Sequence, residues 1–562
     1  MVTYARAGQG VAVLWAGALA AALWTGGALA EDTVISHAIT TFGDAPKYPA
    51  DFKHFDYVNP DAPKGGEFSM ATFGTFDTFN TYSEKGKAAA LASIGYENMM
   101  GGSADEVGSL YCLICTSIEY PKDKAWVIFA LRPEAKFSDG TPLTAEDVRY
   151  TTERFSKEGL VSSRALLGQF VDKIEVLDPR HVKYTFKADS PPRDRIQIAG
   201  GMPVMSKAWF EKTGATLDDT RNDPGIGSGP YLLDHFDVNR RVVYKRNPNY
   251  WGKDLPNNVG RYNYDSIRVE YFGDPTAAFE GFKSGAFAFR NENSSKNWAT
   301  AYDFEALKKG WVLKQELANG QIANGQSFVF NLRRDKFRDV RVREAIGLMF
   351  NFEWSNKTLF YGLYARINSF WENSKLAAAG LPSPEELALL TPLKDKLPPE
   401  VLTDAPVMAP VSGENQLDRG NLRKASKLLD DAGWVTGDDG KRRNAKGDLL
   451  TVEFLDADPA FDRVINPFVE NLIKLGVDAK LSRVDDAQYT RRTRSFDFDM
   501  ITDQLTTGEE PGSGLRQYFG TEGVNDSFNS MGLADPAVDA LITKVLEADN
   551  RDALALAVKA LD

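Results

Sequence analysis

Between Leu450 and Leu481 the chain alternates apolar residues at Leu450, Val452 and Phe454, carries a helical apolar period from Val464 to Leu475 that stops at Gly476, and alternates again at Val477, Ala479 and Leu481. Strand, helix and strand within about thirty residues predict two parallel strands joined by a right-handed crossover, the helix lying on one face of their sheet. Pro467 falls near the start of that helix, where its missing N–H costs little. An α/β lobe is therefore expected in the C-terminal half. At 562 residues the chain is too long for one hydrophobic core, so about two to four lobes are expected.

Other elements can be placed in the same way. Ile174 to Val176 and Val182 to Phe186 alternate across Asp178-Pro179-Arg180, the pattern of a hairpin. Thr144 caps a helix on which Val148, Thr151 and Phe155 share a face, and Asp147 completes a capping-box pattern. Further amphipathic helices run from Asp339 through Val342, Ile346 and Met349, and from Leu422 through Ala425, Leu428 and Leu429 to Gly433. Asp438-Asp439-Gly440 reads as a hairpin turn. The proline-rich stretch from Leu376 to Met408 is expected to be irregular and to wrap the surface or bridge lobes.

The N-terminus carries Arg6 and no acid, then an apolar run from Val11 to Trp24, then Ala28-Leu29-Ala30 before Glu31. That order is a cleavable secretory leader; no cysteine stands near the cleavage point to take a lipid, so in a bacterium the expected compartment is the periplasm. The net charge of −12 is the wrong sign for a phosphate-backbone binder, so nucleic acid is not expected as a partner. The two cysteines, Cys112 and Cys115, lie in an apolar run; they either close a disulfide or pack as two buried small residues. His37, His54, His181 and His235 lack metal-ligand spacing, so neither a metal nor a cofactor is expected. Phosphate-loop, dinucleotide and nucleophile-elbow motifs are absent, which leaves no catalytic residue to nominate and points away from an enzyme. Aromatic side chains are instead plentiful near loops, at Tyr250-Trp251, Trp298, Tyr361, Tyr364, Phe370-Trp371 and Tyr518-Phe519, as a cleft for an amphipathic organic ligand requires.

Four segments together carry a resemblance: Leu131 to Val148, with Phe137-Ser-Asp-Gly-Thr-Pro142; Gly227-Ser-Gly-Pro-Tyr231 followed by Lys245-Arg-Asn-Pro-Asn-Tyr-Trp251; Phe330-Asn331 with Phe337 to Ala345; and Ala425 to Gly433-Trp434. Their order and spacing resemble the family 5 extracellular solute-binding proteins of ABC importers. Phe55 to Gly66, Gly74 to Asp77, Asn249 to Pro256 and Asn293 to Trp298 resemble the YejA-type branch, associated with uptake of peptides and microcin C.

The resemblance implies an α/β, periplasmic binding protein-like fold (type II, cluster C): two main lobes with a hinge plus an extra subdomain, built from mixed β-sheets flanked by helices. After the leader, residues 1–30, lobe I would comprise 31–75, 215–320 and 540–562, lobe II 76–214 and lobe III 321–539. The implied function is capture of oligopeptides or peptide-like compounds by a monomer that delivers them to inner-membrane permease subunits. Non-peptide cargo, a secreted hydrolase and a periplasmic chaperone are the competing readings. Ligand contacts are expected from Asn293, Trp298, Arg366, Phe370, Trp371, Asp503, Gln504 and Glu509. Arg366 would clamp a carboxylate or phosphate, and Asp503 would form the opposite pole. Classical oligopeptide binders carry an aspartate for the peptide α-amino group where this chain has Thr507. The chain also stops at Asp562, earlier than YejA-type proteins usually do, and strands lost there would leave an edge and apolar surface exposed.

Overall fold

The structure is a computed structural model that describes residues 32–323, 325–505 and 507–562. The expected leader ending at Ala30 lies outside the described residues.

Residues 33–272 build three sheets. Thr33–Ser36, Cys115–Pro121, Trp126–Leu131, His181–Phe186 and Val171–Asp178 form a five-stranded antiparallel sheet in that spatial order. Ala38–Thr40, Glu106–Cys112 and Met100–Ser103 form a three-stranded one. A mixed sheet runs Tyr231–Asp237, Arg241–Arg246, Ser266–Phe272 and Glu67–Phe73, the last two parallel. The predicted hairpin is present, Asp178 Oδ1 accepting the N–H groups of Arg180 (2.7 Å) and His181 (3.0 Å) across the turn. The helix Ala145–Lys157 starts at Thr144, whose N–H and hydroxyl both donate to Asp147, and it buries Val148, Thr151 and Phe155.

Residues 325–505 build the fourth sheet, ordered Gly325–Phe330, Met500–Leu505, Thr451–Asp456 and Asp478–Arg483. The last three strands are parallel and the first is antiparallel to its neighbour. The crossover is the predicted βαβ unit, with helix Asp462–Lys474 joining Thr451–Asp456 to Asp478–Arg483. This helix starts at Asp462, before Val464, so Pro467 lies inside it, two residues further in than the apolar period indicates. Leu450, Val452, Phe454, Phe468, Leu472 and Val477 are buried together with Val342, Ile346, Ala425 and Leu429 from the flanking helices Val340–Gly347 and Arg419–Asp431. Asp438-Asp439-Gly440 turns a two-stranded hairpin, Gly440 supplying the positive φ.

The stretch from Leu376 to Met408 is more ordered than its prolines indicate. Pro384 stands at the first turn of helix Pro384–Leu390, where a missing N–H is harmless, and Ser383 and Glu386 form a capping box. Leu376 and Leu389 pack with Trp371, Leu515, Phe519, Ile542, Leu554 and Val558, so the terminal helices Pro536–Glu547 and Arg551–Leu561 share a core with this stretch. Cys112 and Cys115 form a disulfide, resolving the alternatives left by their spacing.

Candidate ligand-binding cleft

Asp456, Arg483 and Leu505 are the last residues of the three parallel strands, and Gly325 is the first of their antiparallel neighbour. These residues mark one end of the sheet, the carboxyl end, where open α/β sheets hold ligands. Asp456 is 3% exposed. Its Oδ2 lies 3.2 Å from Arg483 Nη2, an ion pair whose angles fall short of a hydrogen bond; Arg483 also pairs with Asp462. Burial pushes the Asp456 carboxyl up, against the Asp458 N–H and the Arg483 charge. Tyr489, on helix Asp486–Arg494, has its phenol pushed up to about 12, first by burial and then by Asp456 and Asp503.

Asp503 sits on strand Met500–Leu505, half-buried. Its Oδ2 accepts the Ser530 hydroxyl at 2.6 Å and its Oδ1 accepts the Gln504 N–H at 2.8 Å. The Asp503 charge also raises the pKa of Tyr518, after the larger effect of burial. Asp503 forms no ion pair among the described residues, so its carboxylate is free to take an ammonium group.

Arg366 packs its guanidinium over Phe350 (5.4 Å) and Phe352 (5.3 Å). Burial lowers its pKa and Glu353 partly opposes that, yet the guanidinium has no hydrogen bond or ion pair among the described residues. Phe350 packs with Phe328 on strand Gly325–Phe330, which ties this cation to the same sheet. Tyr361, Leu363 and Tyr364 are exposed nearby in sequence, and the exposed Val407, Met408 and Val411 flank a segment whose Ala409 N–H donates to Asn368 at 2.9 Å. An unpaired guanidinium among apolar side chains suits an anion carried on an organic ligand.

The remaining predicted contacts divide. Gln504 is exposed and reaches Gln326 across the strand pair at 3.3 Å, and Glu509 is exposed. Phe370 is 37% exposed; its ring meets Phe519 edge-on at 5.1 Å and its carbonyl accepts the Thr507 hydroxyl at 2.7 Å. Trp371, in contrast, is 1% exposed and forms part of the core, its indole N–H buried without an acceptor, so it lines no cleft in this conformation. Asn293 is exposed, and Trp298, on helix Ser295–Thr300, packs under Lys314 (4.1 Å) and donates to Glu316 at 3.2 Å, on the segment that leads to the C-terminal sheet. Asp456, Arg483 and Tyr489 were not among the predicted residues. Their signal was positional, since the two charged residues end the strands of the βαβ unit.

Among the described residues no group of three His, Cys, Asp or Glu side chains is placed to hold a metal. Each histidine has a local partner: Tyr48 O for His37, Phe55 O for His54, Asp178 for His181 and Asp234 for His235.

The family profile described as bacterial extracellular solute-binding proteins, family 5 Middle, matches residues 110–526. The chain belongs to that family. A probable peptide-binding protein YejA from Agrobacterium fabrum is 40% identical over 533 residues, 93% of this chain and 86% of the relative, which places the chain in the YejA branch. Among solved structures, NikZ from Campylobacter jejuni in complex with Ni(L-His) superposes with a TM-score of 0.64 at 18% identity, over 88% of this chain and 89% of that one. The oligopeptide-binding protein AppA from Bacillus subtilis, in complex with a nonapeptide, gives 0.64 at 17%, over 89% and 91%. The fold is thus the type II periplasmic binding protein architecture.

Several of the family 5 segments act as scaffold. Ser228 donates to Glu97 at 2.8 Å, Trp251 donates to Glu97 at 3.2 Å, and the Asn331 amide donates to the carbonyls of Phe496 and Phe498 at 2.9 Å each. These groups anchor backbone and buried polar atoms away from the sheet's carboxyl end.

Proposed function

We propose that this chain is the periplasmic ligand-capturing subunit of an ABC importer, a monomer that takes oligopeptides or peptide-like compounds into a cleft between lobes and hands them to an inner-membrane permease. The observation that carries the reading is the Arg366 guanidinium, stacked on Phe350 and Phe352 with no hydrogen bond or ion pair among the described residues, Phe350 in turn packing on Phe328 of the sheet that carries the half-buried Asp503 carboxylate. A zwitterionic peptide has one group for each pole, and each charge desolvated in the cleft needs such a partner. The relative named as a probable peptide-binding protein supports the same cargo. Among the described residues no helix is long and apolar enough to cross a membrane, which fits a subunit that diffuses to its permease. The mechanism is closure of the lobes over the ligand, with no bond made or broken. Native mass spectrometry of protein purified from periplasm tests this: co-purified peptides of mixed sequence and limited length support it. A single non-peptide mass would instead transfer the poles to a chelate-like cargo, the reading that the NikZ likeness brings.

A further inference from the structure

The loop that follows helix Phe352–Thr358 is held in one shape by hydrogen bonds. Phe360 N–H donates to Ser355 O at 3.0 Å and Gly362 N–H to Asn356 O at 2.8 Å, and the Asn356 side chain clasps Tyr364, accepting its N–H at 3.2 Å and donating to its carbonyl at 2.8 Å. Arg463 donates to Leu359 O at 2.8 Å. Arg463 lies in the first turn of helix Asp462–Lys474, which follows strand Thr451–Asp456, so the loop stands beside the sheet's carboxyl end. Tyr361 has a φ of +60° and Gly362 one of +73°. Glycine adopts that conformation freely, whereas a tyrosine is strained in it. Tyr361, Leu363 and Tyr364 are nevertheless 42% to 45% exposed, so core packing does not account for the strain, and a functional contact does.

Arg366 follows two residues later, its Cα at most about 7 Å from that of Tyr364. Phe352, under the Arg366 guanidinium, and Asn356, which clasps Tyr364, are one turn apart on the same face of helix Phe352–Thr358, so residues 364–366 run back along that face. Two residues further on, the Asn368 side chain accepts the Ala409 N–H at 2.9 Å and brings up Val407 and Met408, 86% and 62% exposed. The unpaired cation therefore has exposed apolar side chains on both flanks, one set from its own loop and one from the segment 407–409. Such a cation takes an anion, and the apolar surface beside it gains from burial only if that anion carries an apolar group.

We propose that Tyr361, Leu363, Tyr364 and Met408 form the specificity-determining wall of the Arg366 subsite and select ligands whose anionic end carries a bulky apolar side chain, which in a peptide is a C-terminal phenylalanine, leucine or methionine. The proposal deepens the capture reading above and rests on Arg366 as its anion clamp. Ligand-observed NMR titrations of the full chain with N-acetylphenylalanine and N-acetylalanine test it, since both carry the carboxylate and only one carries the ring. The parent should bind the phenylalanine compound about tenfold more tightly, and the ratio should fall towards one in Tyr361→Gly and in Met408→Ser, which alter different segments. Tyr361→Gly should also melt at or above the parent's temperature, because glycine relieves the left-handed strain while the ring is lost. Equal affinity of the parent for the two compounds, binding of neither, or an unchanged ratio in both variants would overturn the wall. If one variant does not fold, the other carries the test. Sequencing of co-purified peptides separates this proposal from the peptide reading. Mixed sequences ending in apolar residues support both, and mixed sequences without a C-terminal preference keep the peptide reading and overturn the wall. A non-peptide mass removes the peptide reading, while the affinity ratio still decides for or against the wall.

Discussion

Tyr250 donates its phenolic hydroxyl to the Glu97 carboxyl in a pocket where both residues are buried. Ser228 and Trp251 donate to the same carboxyl, and Asn258 donates to the Tyr250 oxygen at 2.8 Å. Burial outweighs the donors and pushes Glu97 from 4.5 up to about 7, while burial and the Glu97 charge raise Tyr250. The folded protein thus holds a proton at Glu97 over a range where the unfolded chain has lost it. The stabilisation is complete below about pH 4.5 and is lost as pH rises through about 7. Melting temperatures from about pH 5 to about pH 8 should fall more steeply for the parent than for Glu97→Gln, which has no proton to lose. Parallel curves would show that Glu97 is ionised throughout.

Arg366→Ala should weaken binding of a peptide with a free C-terminus by about tenfold to a hundredfold, the range for a hydrogen bond to a charged group. Titration calorimetry with a tripeptide and with its C-terminal amide separates charge from packing. The parent should prefer the acid, and the variant should treat the two alike. Equal loss for both ligands would assign Arg366 to packing on Phe350 and Phe352.

Asp503→Asn should act on the other end of the ligand. Its carboxylate keeps one Oδ2 hydrogen bond, to Ser530, so the amide can retain that contact while losing the charge. Affinity for a peptide with a free amino terminus should fall about tenfold, and affinity for the N-acetylated peptide should stay near its parent value. A variant that loses both ligands equally would place the amino terminus elsewhere.

The βαβ unit was legible because a two-residue period, a helical period and a second two-residue period follow one another without interruption from Leu450 to Leu481. The Thr144 cap and the Asp178 turn were legible because local hydrogen bonds determine them. The proline-rich stretch was misread because Pro384 and Ser383 mark a helix start only once Leu389 has a core to face, and that core comes from helices about 160 residues later. Trp371 shows the same blindness: its burial depends on Leu515, Phe519 and Ile542, none of them local. In the candidate cleft, Arg366 and Asp503 could be nominated from the family's cleft position, whereas Tyr489 gains its interest only from the fold, which half-buries its phenol where the Asp456 and Asp503 charges raise its pKa.

The Cys112–Cys115 disulfide joins the last residue of strand Glu106–Cys112 to the first of Cys115–Pro121, strands that belong to different sheets. The two residues between them, Leu113 and Ile114, both donate to Met99 O at 3.1 Å, so the turn is also held without the bond. A loop this short removes little entropy from the unfolded chain, and the chain-entropy relation gives about 2 kcal/mol at most. Cys112→Ala with Cys115→Ala should therefore lower the melting temperature by only a few degrees and leave peptide affinity unchanged, since neither sulfur is near the sheet's carboxyl end. Both cysteines are at most 4% exposed, so the native bond should resist dithiothreitol until the fold opens. Thermal melts with and without reductant check both points. Rapid reduction of the folded protein, or a collapse of binding in the double alanine variant, would make the bond a redox-sensitive part of the ligand-capture device rather than a staple between two sheets.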